Sequence, residues 1–279
     1  MKEICFIILH YNCFESTSNC IDSICSLENQ DDLDIIVIDN NSVNDSYIKL
    51  NEKYGQDKIK FLHNSKNLGF SAANNIAYEY AKNIDDYKYY VFANNDVCFN
   101  QKNFVKRIKQ IYSKSGFSVL GPDVFNPNIN KHQSPIDLSL KRTRKDVIKT
   151  IILNRVALLF YPVYSILENK RDQKVDEKEL PVKYYENVII SGSCLIFTNE
   201  FLREKIIPFW PQTFFYYEEY ILGWWCNRHN KKIVFDPSIQ IMHYHGVATE
   251  TIGKEKKRRK FQMKNILKSA KVYLKLLDD

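Results

Sequence analysis

The chain alternates between short, unbroken apolar runs and segments with helical spacing. Ile4-Cys5-Phe6-Ile7-Ile8-Leu9 is apolar throughout, as expected of a strand covered on both faces. Ser16 to Leu27 then carries Cys20, Ile21, Ile24 and Leu27 on one helical face. Ile35-Ile36-Val37-Ile38 is a second buried strand. Asp45 is placed to cap a helix through Ile48 and Leu50. Ile59-Lys60-Phe61-Leu62 is a third strand, Asn67 to Ser71 a turn, and Ala72 to Ala81 a helix of small residues. Tyr89-Tyr90-Val91-Phe92-Ala93 is the fourth strand. Four strands separated by helices predict an α/β fold with a parallel sheet and right-handed crossovers.

The second half is less regular. A helix over Lys102 to Tyr112 leads to a strand and turn at Val119-Leu120-Gly121-Pro122, and residues 128 to 145 are polar and irregular. Val147 to Leu167 has helical spacing interrupted by Pro162. Its apolar stripe is Ile148, Ile151, Ile152, Val156, Leu159 and Phe160, broken by Lys149 and Arg155. That pattern suits a membrane-surface or partner-facing helix, or ordinary core packing. Residues 168 to 181 are highly charged and expected to be exposed. Val188-Ile189-Ile190, Cys194 to Phe197 and Ile233-Val234-Phe235 read as strands, Glu218 to Asn230 as a helix, and Phe261 to Leu277 as a basic amphipathic helix.

Length and composition bound the possibilities. At 279 residues with 44% hydrophobic positions, the chain supports one large domain or a domain with an appendage. The formal charge of +7 is uneven, with ten Lys or Arg and one Glu from Lys254 to Lys275. Such a tail favours an anionic partner, a membrane surface or nucleic acid. Seven cysteines, with no CxxC pair, predict buried free thiols in a reducing cytoplasm and argue against a zinc cluster. Met1-Lys2-Glu3-Ile4 opens directly into a strand, so no signal peptide is expected. No run of 18 uncharged apolar residues predicts a transmembrane helix.

The chemistry concentrates at the predicted strand ends. His10-Tyr11-Asn12, Asp39-Asn40-Asn41-Ser42, Asn64 to Gly69 and Asn94-Asn95-Asp96 all follow apolar runs, and in an open parallel sheet ligands bind at the strands' carboxyl ends. A carboxylate such as Asp96 at the end of a buried strand is costly without a partner. The usual partner, a hard divalent cation, also binds phosphate oxygens. No GxGxxG follows the first strand and no Walker loop is present, which disfavours dinucleotide oxidoreductases and P-loop NTPases.

These segments together resemble the family 2 glycosyltransferases, over about residues 3 to 250, and especially the rhamnosyl- and galactosyltransferase-like members that build bacterial surface polysaccharides. Ile7-Ile8-Leu9-His10-Tyr11-Asn12 resembles the family's opening strand. Ile36-Val37-Ile38-Asp39-Asn40-Asn41-Ser42 is similar to its "VVDNNS" strand, and Asn67-Leu68-Gly69-Phe70-Ser71-Ala72-Ala73-Asn74-Asn75 to its "NxGFaxaxN" turn and helix. Asn94-Asn95-Asp96 stands where the family's metal-binding Asp sits. The resemblance implies a GT-A fold over residues 1–250, with a nucleotide-sugar half (1–125) and an acceptor half (126–250) holding a helical insert at about 146–168. Residues 251–279 form a basic helix beyond it.

The resemblance implies a Mn2+ or Mg2+ ion and a UDP- or dTDP-sugar donor. It assigns the donor to Tyr11, Asn12, Asp39, Asn41, Asn67, Gly69, Asn74 and Asn95, with Asp39 on the base or ribose. Asn67 and Asn74 could instead cap the turn and helix, and Gly69 could serve the turn alone. Ser191-Gly192-Ser193-Cys194 resembles the approach to the acceptor, giving Gly192 and Ser193 that role. Phe214-Phe215-Tyr216-Tyr217-Glu218-Glu219 resembles "FFxYxED", whose second acid is the general base, here Glu219, with Glu218 beside it on the acceptor. The "vDLxxR" that follows in the family is replaced by Tyr220-Ile221-Leu222-Gly223-Trp224-Trp225, so acceptor handling departs from the pattern. Trp224 could stack on a sugar or belong to the core. Met242-His243-Tyr244-His245-Gly246 resembles "vxHxxG", selecting His243 as a second metal ligand over His245; His10 and His63 are read as non-ligands.

The implied reaction is inverting transfer to a hydroxyl of a glycan or lipid-linked glycan, with no nucleic-acid partner. The protein is expected in the cytoplasm, peripherally on the inner face of the plasma membrane if the last helix turns Phe261, Ile266, Leu267, Val272, Tyr273 and Leu276 toward lipid. A helix packed on the domain is the alternative. Two rival functions are a sugar nucleotidyltransferase, which normally has a Gly-rich basic loop where this chain has Tyr11-Asn12-Cys13-Phe14-Glu15, and a non-catalytic carbohydrate- or nucleic-acid-binding module.

Overall fold

A computed structural model describes residues 2–28, 30–55, 59–140, 142–162, 164, 180–205, 207–244 and 255–278. The four expected strands are β1 (Ile4–His10), β2 (Leu33–Asp39), β3 (Ile59–His63) and β4 (Tyr89–Asn94). They pair in parallel in the order β3-β2-β1-β4. Between them lie α1 (Phe14–Cys25), α2 (Ser46–Tyr54) and α3 (Gly69–Ile84). The unbroken apolar run of β1 has the predicted cause. Ile4, Phe6 and Ile8 enter the core on one side of the sheet, Cys5 and Ile7 the core on the other.

The sheet then changes character. β9 (Cys194–Thr198) lies antiparallel between β4 and β6 (Val119–Asn126), and β10 (Ile233–His243) runs parallel to β6. The sheet is therefore mixed, with its parallel strands concentrated in the first half. Three two-residue strands carry too little sequence to show a period: β5 (Val97–Cys98), β7 (Lys131–His132) and β8 (Tyr185–Glu186). The remaining helices are α4 (Phe104–Ser115), α5 (Arg144–Leu159), α6 (Asn199–Lys205), α7 (Glu218–Arg228) and α8 (Glu255–Leu276).

Several boundaries differ from the sequence reading. α3 begins at Gly69, so Phe70 and Ser71 are helical. Asp45 occupies the cap position of α2, but its carboxylate pairs with Lys49 at 2.9 Å instead of capping. Val188-Ile189-Ile190 is buried without being a strand. Ile189 makes a single bridge to Asp137, and a Cβ at Gly121 or Gly223 would collide with Ile190 or Ile189. Apolar character there reports burial under glycine-lined surfaces, not pairing. Six of the seven thiols are buried or partly so, while Cys25 is exposed. The charged segment expected at 168–181 lies outside the described residues up to 179.

The last helix follows the packed alternative. Tyr273 and Leu276 are buried with Ala270 against Val147 and Ile151 of α5 and Ile221 of α7, and Ile266, Leu267 and Val272 pack on the same cluster. Phe261 meets the rings of Phe214 and Phe215. The face expected to turn toward lipid is core, because α5 supplies the apolar partner that the helix would otherwise seek. Among the described residues, no helix is long and apolar enough to cross a membrane.

Candidate active site

The ends of β1 and β2 are stitched into one polar ledge. Asn12 and Asn41 both adopt left-handed backbone, with φ of 60° and 63°, a conformation Asn tolerates better than most residues. Asn12 donates its N–H to the Ser42 hydroxyl at 2.8 Å, and its Oδ1 accepts from Val43 N at 2.8 Å. Asp39 is fully buried. Its oxygens accept from the Ser42 backbone at 3.1 and 3.2 Å, from the Ser42 hydroxyl at 2.5 Å and from Nδ1 of His63 at 2.7 Å. Asp39 thus holds His63, which is half-exposed and tilted against Tyr47. Sequence reasoning passed over His63 because nothing adjacent in the chain marks its partner.

His10 sits beneath this ledge. Thr17 donates its hydroxyl to the Cys13 carbonyl, so Nδ1 of His10 donates to Thr17 at 2.6 Å, and Nε2 accepts from Ser46 at 2.9 Å. Burial pushes the imidazole down to about 4, keeping it neutral. It is a structural histidine, consistent with the sequence reading.

Asn67, Asn74 and Asn95 serve the frame. Oδ1 of Asn67 accepts from Gly69 N at 3.0 Å and Asn40 Nδ2 at 3.1 Å, the turn-capping alternative. Asn74 is buried and donates to the Phe70 carbonyl of its own helix. Asn95 is buried and donates to Thr17. Gly69 has φ 77°, and a Cβ there would stand 2.4 Å from the Phe214 carbonyl. That carbonyl accepts from Phe70 N at 2.7 Å, so the glycine lets the nucleotide half touch the segment leading to Glu218 and Glu219. Tyr11 is partly exposed at the end of β1.

Asp96 follows β4 in the turn to β5, and its carbonyl accepts from Tyr244 N at 3.0 Å beyond the end of β10. This pairing brings His243 close: its Nε2 lies 3.2 Å from Oδ1 of Asp96. Nδ1 of His243 donates to Oε1 of Gln133 at 2.6 Å, so in a neutral ring it is the Nε2 lone pair that faces the carboxylate. Oδ1 of Asp96 is buried and accepts no hydrogen bond. Two such atoms are spaced to share a cation, and among the described residues no third His, Cys, Asp or Glu joins them. Gln133 lies in the segment read only as polar and irregular, and no local signal marks it. His245 and Gly246 lie outside the described residues.

Residues 191–193 join the two acids. Asn94 N donates to the Ser193 carbonyl at 3.0 Å, and Ser193 Oγ lies 3.4 Å from Nδ1 of His243. Gly192 stands against Glu219, where a Cβ would come within 2.6 Å of Oε1. Asp96, His243, Ser193, Gly192 and Glu219 therefore form one continuous path of neighbours. Tyr216 and Tyr217, just before the acids, have φ of 68° and 72°. Left-handed backbone at two successive aromatic residues is strained and aims the first turn of α7.

Burial raises both acids. Glu219 is partly exposed, and burial pushes its carboxyl up against the lowering hydrogen bonds from its own and the Gly192 backbone. Glu218 is buried, Oε1 has no partner, and burial with the neighbouring Glu219 charge holds it well above the ordinary carboxylate range. A folded-state pKa above the unfolded value means that stability falls as pH rises between the two. Glu218→Gln should therefore raise the melting temperature at neutral pH. The gain corresponds to about 1.4 kcal/mol per unit of displacement. It should shrink as pH falls and vanish below the ordinary glutamate value of 4.5. Melting curves across pH check this, and an equal gain at low pH would show that ionisation is not its cause.

Trp224 packs with Trp210 on the cluster of α5, α7 and α8, and the Arg228 guanidinium lies 5.6 Å from its ring. Its ring is partly buried there, as the core alternative has it.

The chain matches the family model described as "Glycosyl transferase family 2" over residues 5–193. A comparison with curated proteins finds no match. Among solved structures, it resembles S. aureus TarS 1-349 in complex with UDP-GlcNAc, with a TM-score of 0.58 and 13% identity, covering 90% of this chain and 62% of that one. A second S. aureus TarS 1-349 structure gives a TM-score of 0.56 at 13% identity, covering 86% and 60%. The S. aureus TarS structure gives 0.57 at 12%, covering 95% and 42%. The chain thus spans about three-fifths of the length of the first of these neighbours.

Proposed function

Because this chain belongs to glycosyl transferase family 2, and has the GT-A fold of its TarS neighbours, we propose that it transfers a sugar from a nucleotide-diphosphate sugar to a glycan hydroxyl. The TarS neighbour was solved with UDP-GlcNAc, which supports a UDP-sugar donor, with a dTDP-sugar as the alternative. The donor lies over the ledge of Tyr11, Asn12, Asn41 and the Asp39–His63 pair. The acceptor approaches past Gly192 and Ser193, and is a glycan or lipid-linked glycan of the cell surface.

The path of neighbours from Asp96 through Ser193 to Glu219 carries this reading, because transfer needs a diphosphate site and a base on either side of one small gap. Glu219 takes the proton of the acceptor hydroxyl as that oxygen bonds to the anomeric carbon. The bond from that carbon to the diphosphate oxygen breaks in the same displacement, which inverts the centre. Gly192 leaves room beside the base, and its N–H restrains the carboxylate. Asp96 and His243 would hold a Mn2+ or Mg2+ ion, which neutralises charge on the departing diphosphate. His243 is kept in the required tautomer by Gln133.

Thermal shift with UDP, dTDP, GDP, CMP and the matching triphosphates, each with and without Mn2+, and with an oligonucleotide, tests the donor class. Metal-dependent stabilisation by UDP or dTDP is expected. Stabilisation by a triphosphate alone would favour a nucleotidyltransferase, and tight oligonucleotide binding without any nucleotide effect would favour a binding module. NMR of the first product from the matching donor should show an inverted anomeric proton.

A further inference from the structure

We propose that the outward face of α5 is a docking surface for an anionic lipid bilayer. The helix has two apolar faces. Val147, Ile151 and Ala157 turn inward. Ile152, Leu153, Val156, Leu159 and Phe160 turn outward, each at least half-exposed and Leu159 at 75%. Five large apolar side chains contiguous over the last turns of one helix are unusual on a surface that serves only solvation.

The charge around this patch selects its occupant. Lys145 and Lys149 continue the outward stripe toward the helix start, and Arg155 flanks it. α8 runs alongside, and the ammonium groups of Lys260 and Lys256 lie 4.7 and 6.0 Å from the ring of Tyr161, just past the apolar end. Among the described side chains, the acids nearby are at the other end of the helix. Asp146 is engaged by Thr143 and Asp278 by Arg144. An apolar tip with a basic collar matches the acyl boundary and headgroups of an anionic leaflet. A second copy of the chain would instead press lysines and Arg155 against their own equivalents, at a net charge of +7 per chain.

The position also has a consequence for the acceptor. The inward face of α5 packs on Tyr217 and Ile221, which bracket Glu218 and Glu219. One helix diameter, about 10 Å, therefore separates the apolar stripe from the turn that carries the base. A bilayer on the outer side would bring a lipid-anchored acceptor toward that turn.

Vesicle sedimentation needs neither donor nor acceptor, so it tests this surface independently of the transferase reading. The protein should co-sediment with phosphatidylcholine vesicles containing phosphatidylglycerol, weakly with phosphatidylcholine alone, and less as salt rises. The double variant Leu159→Glu, Phe160→Glu should lower partitioning by about tenfold or more, with an unchanged melting temperature since both residues are exposed. Lys149→Glu with Arg155→Glu should lower binding to anionic vesicles only. No co-sedimentation of the unaltered protein, or binding untouched by both double variants, overturns the proposal. So does a dimer in analytical ultracentrifugation that the apolar double variant dissociates while vesicle binding is absent.

Discussion

Replacing Glu219 by glutamine should lower kcat by about 10³-fold, within the range of general acid–base contributions, while donor affinity changes little. The substitution keeps the volume beside Gly192 and removes only the capacity to accept a proton. Glu219 stands where its surroundings raise its pKa yet leave it partly open to solvent, the condition for a base that must ionise and then take a proton. The same variant should melt higher than the native protein at neutral pH, because it no longer ionises a carboxyl that burial disfavours. Loss of turnover with a gain in stability is the combination expected of a functional group held at a structural cost. In the native protein, the acid limb of kcat/KM should have its midpoint above the ordinary glutamate value of 4.5. Single-turnover kinetics and nucleotide titration separate these effects, and a variant with native kcat would remove Glu219 from the base role.

Asp96→Ala should abolish the metal-dependent part of nucleotide binding and lower kcat/KM by at least about a hundredfold, since charge neutralisation at a leaving group contributes several kcal/mol. The apo fold should survive. Oδ1 of Asp96 accepts no hydrogen bond, so its loss removes a desolvated charge without orphaning a donor. Calorimetric titration of UDP with and without Mn2+ checks this, and a chelator should reduce the native protein to the behaviour of the variant. Undiminished Mn2+-dependent binding in Asp96→Ala would assign the cation elsewhere.

Legibility in the sequence followed the range of the forces involved. β1, β2, β3 and β4 were readable because burial on both faces imposes apolar character residue by residue. The helices between them were readable from their period. β5, β7 and β8 were not, since two residues have no period and their pairing depends on distant partners. The apolar run at 188–190 misled for the complementary reason: burial under Gly121 and Gly223 leaves the same trace as a strand. Among the site residues, Asp96, Glu219 and His243 stood out by motif. Their supporting contacts did not, because the Asp39–His63 bond spans 24 residues and the Gln133–His243 bond 110.

The chain by itself settled that an α/β sheet would form and that its polar residues would collect at one edge, since apolar periodicity and strand-end chemistry are local properties. It also carried the two apolar faces of α5 and the basic, amphipathic character of α8. Only the tertiary structure decided which face of each helix met the other and which met water. Two amphipathic helices of one chain satisfy each other before either reaches an outside partner. That pairing buried the stripe of α8 and left exposed the half of α5 that found no neighbour among the described residues.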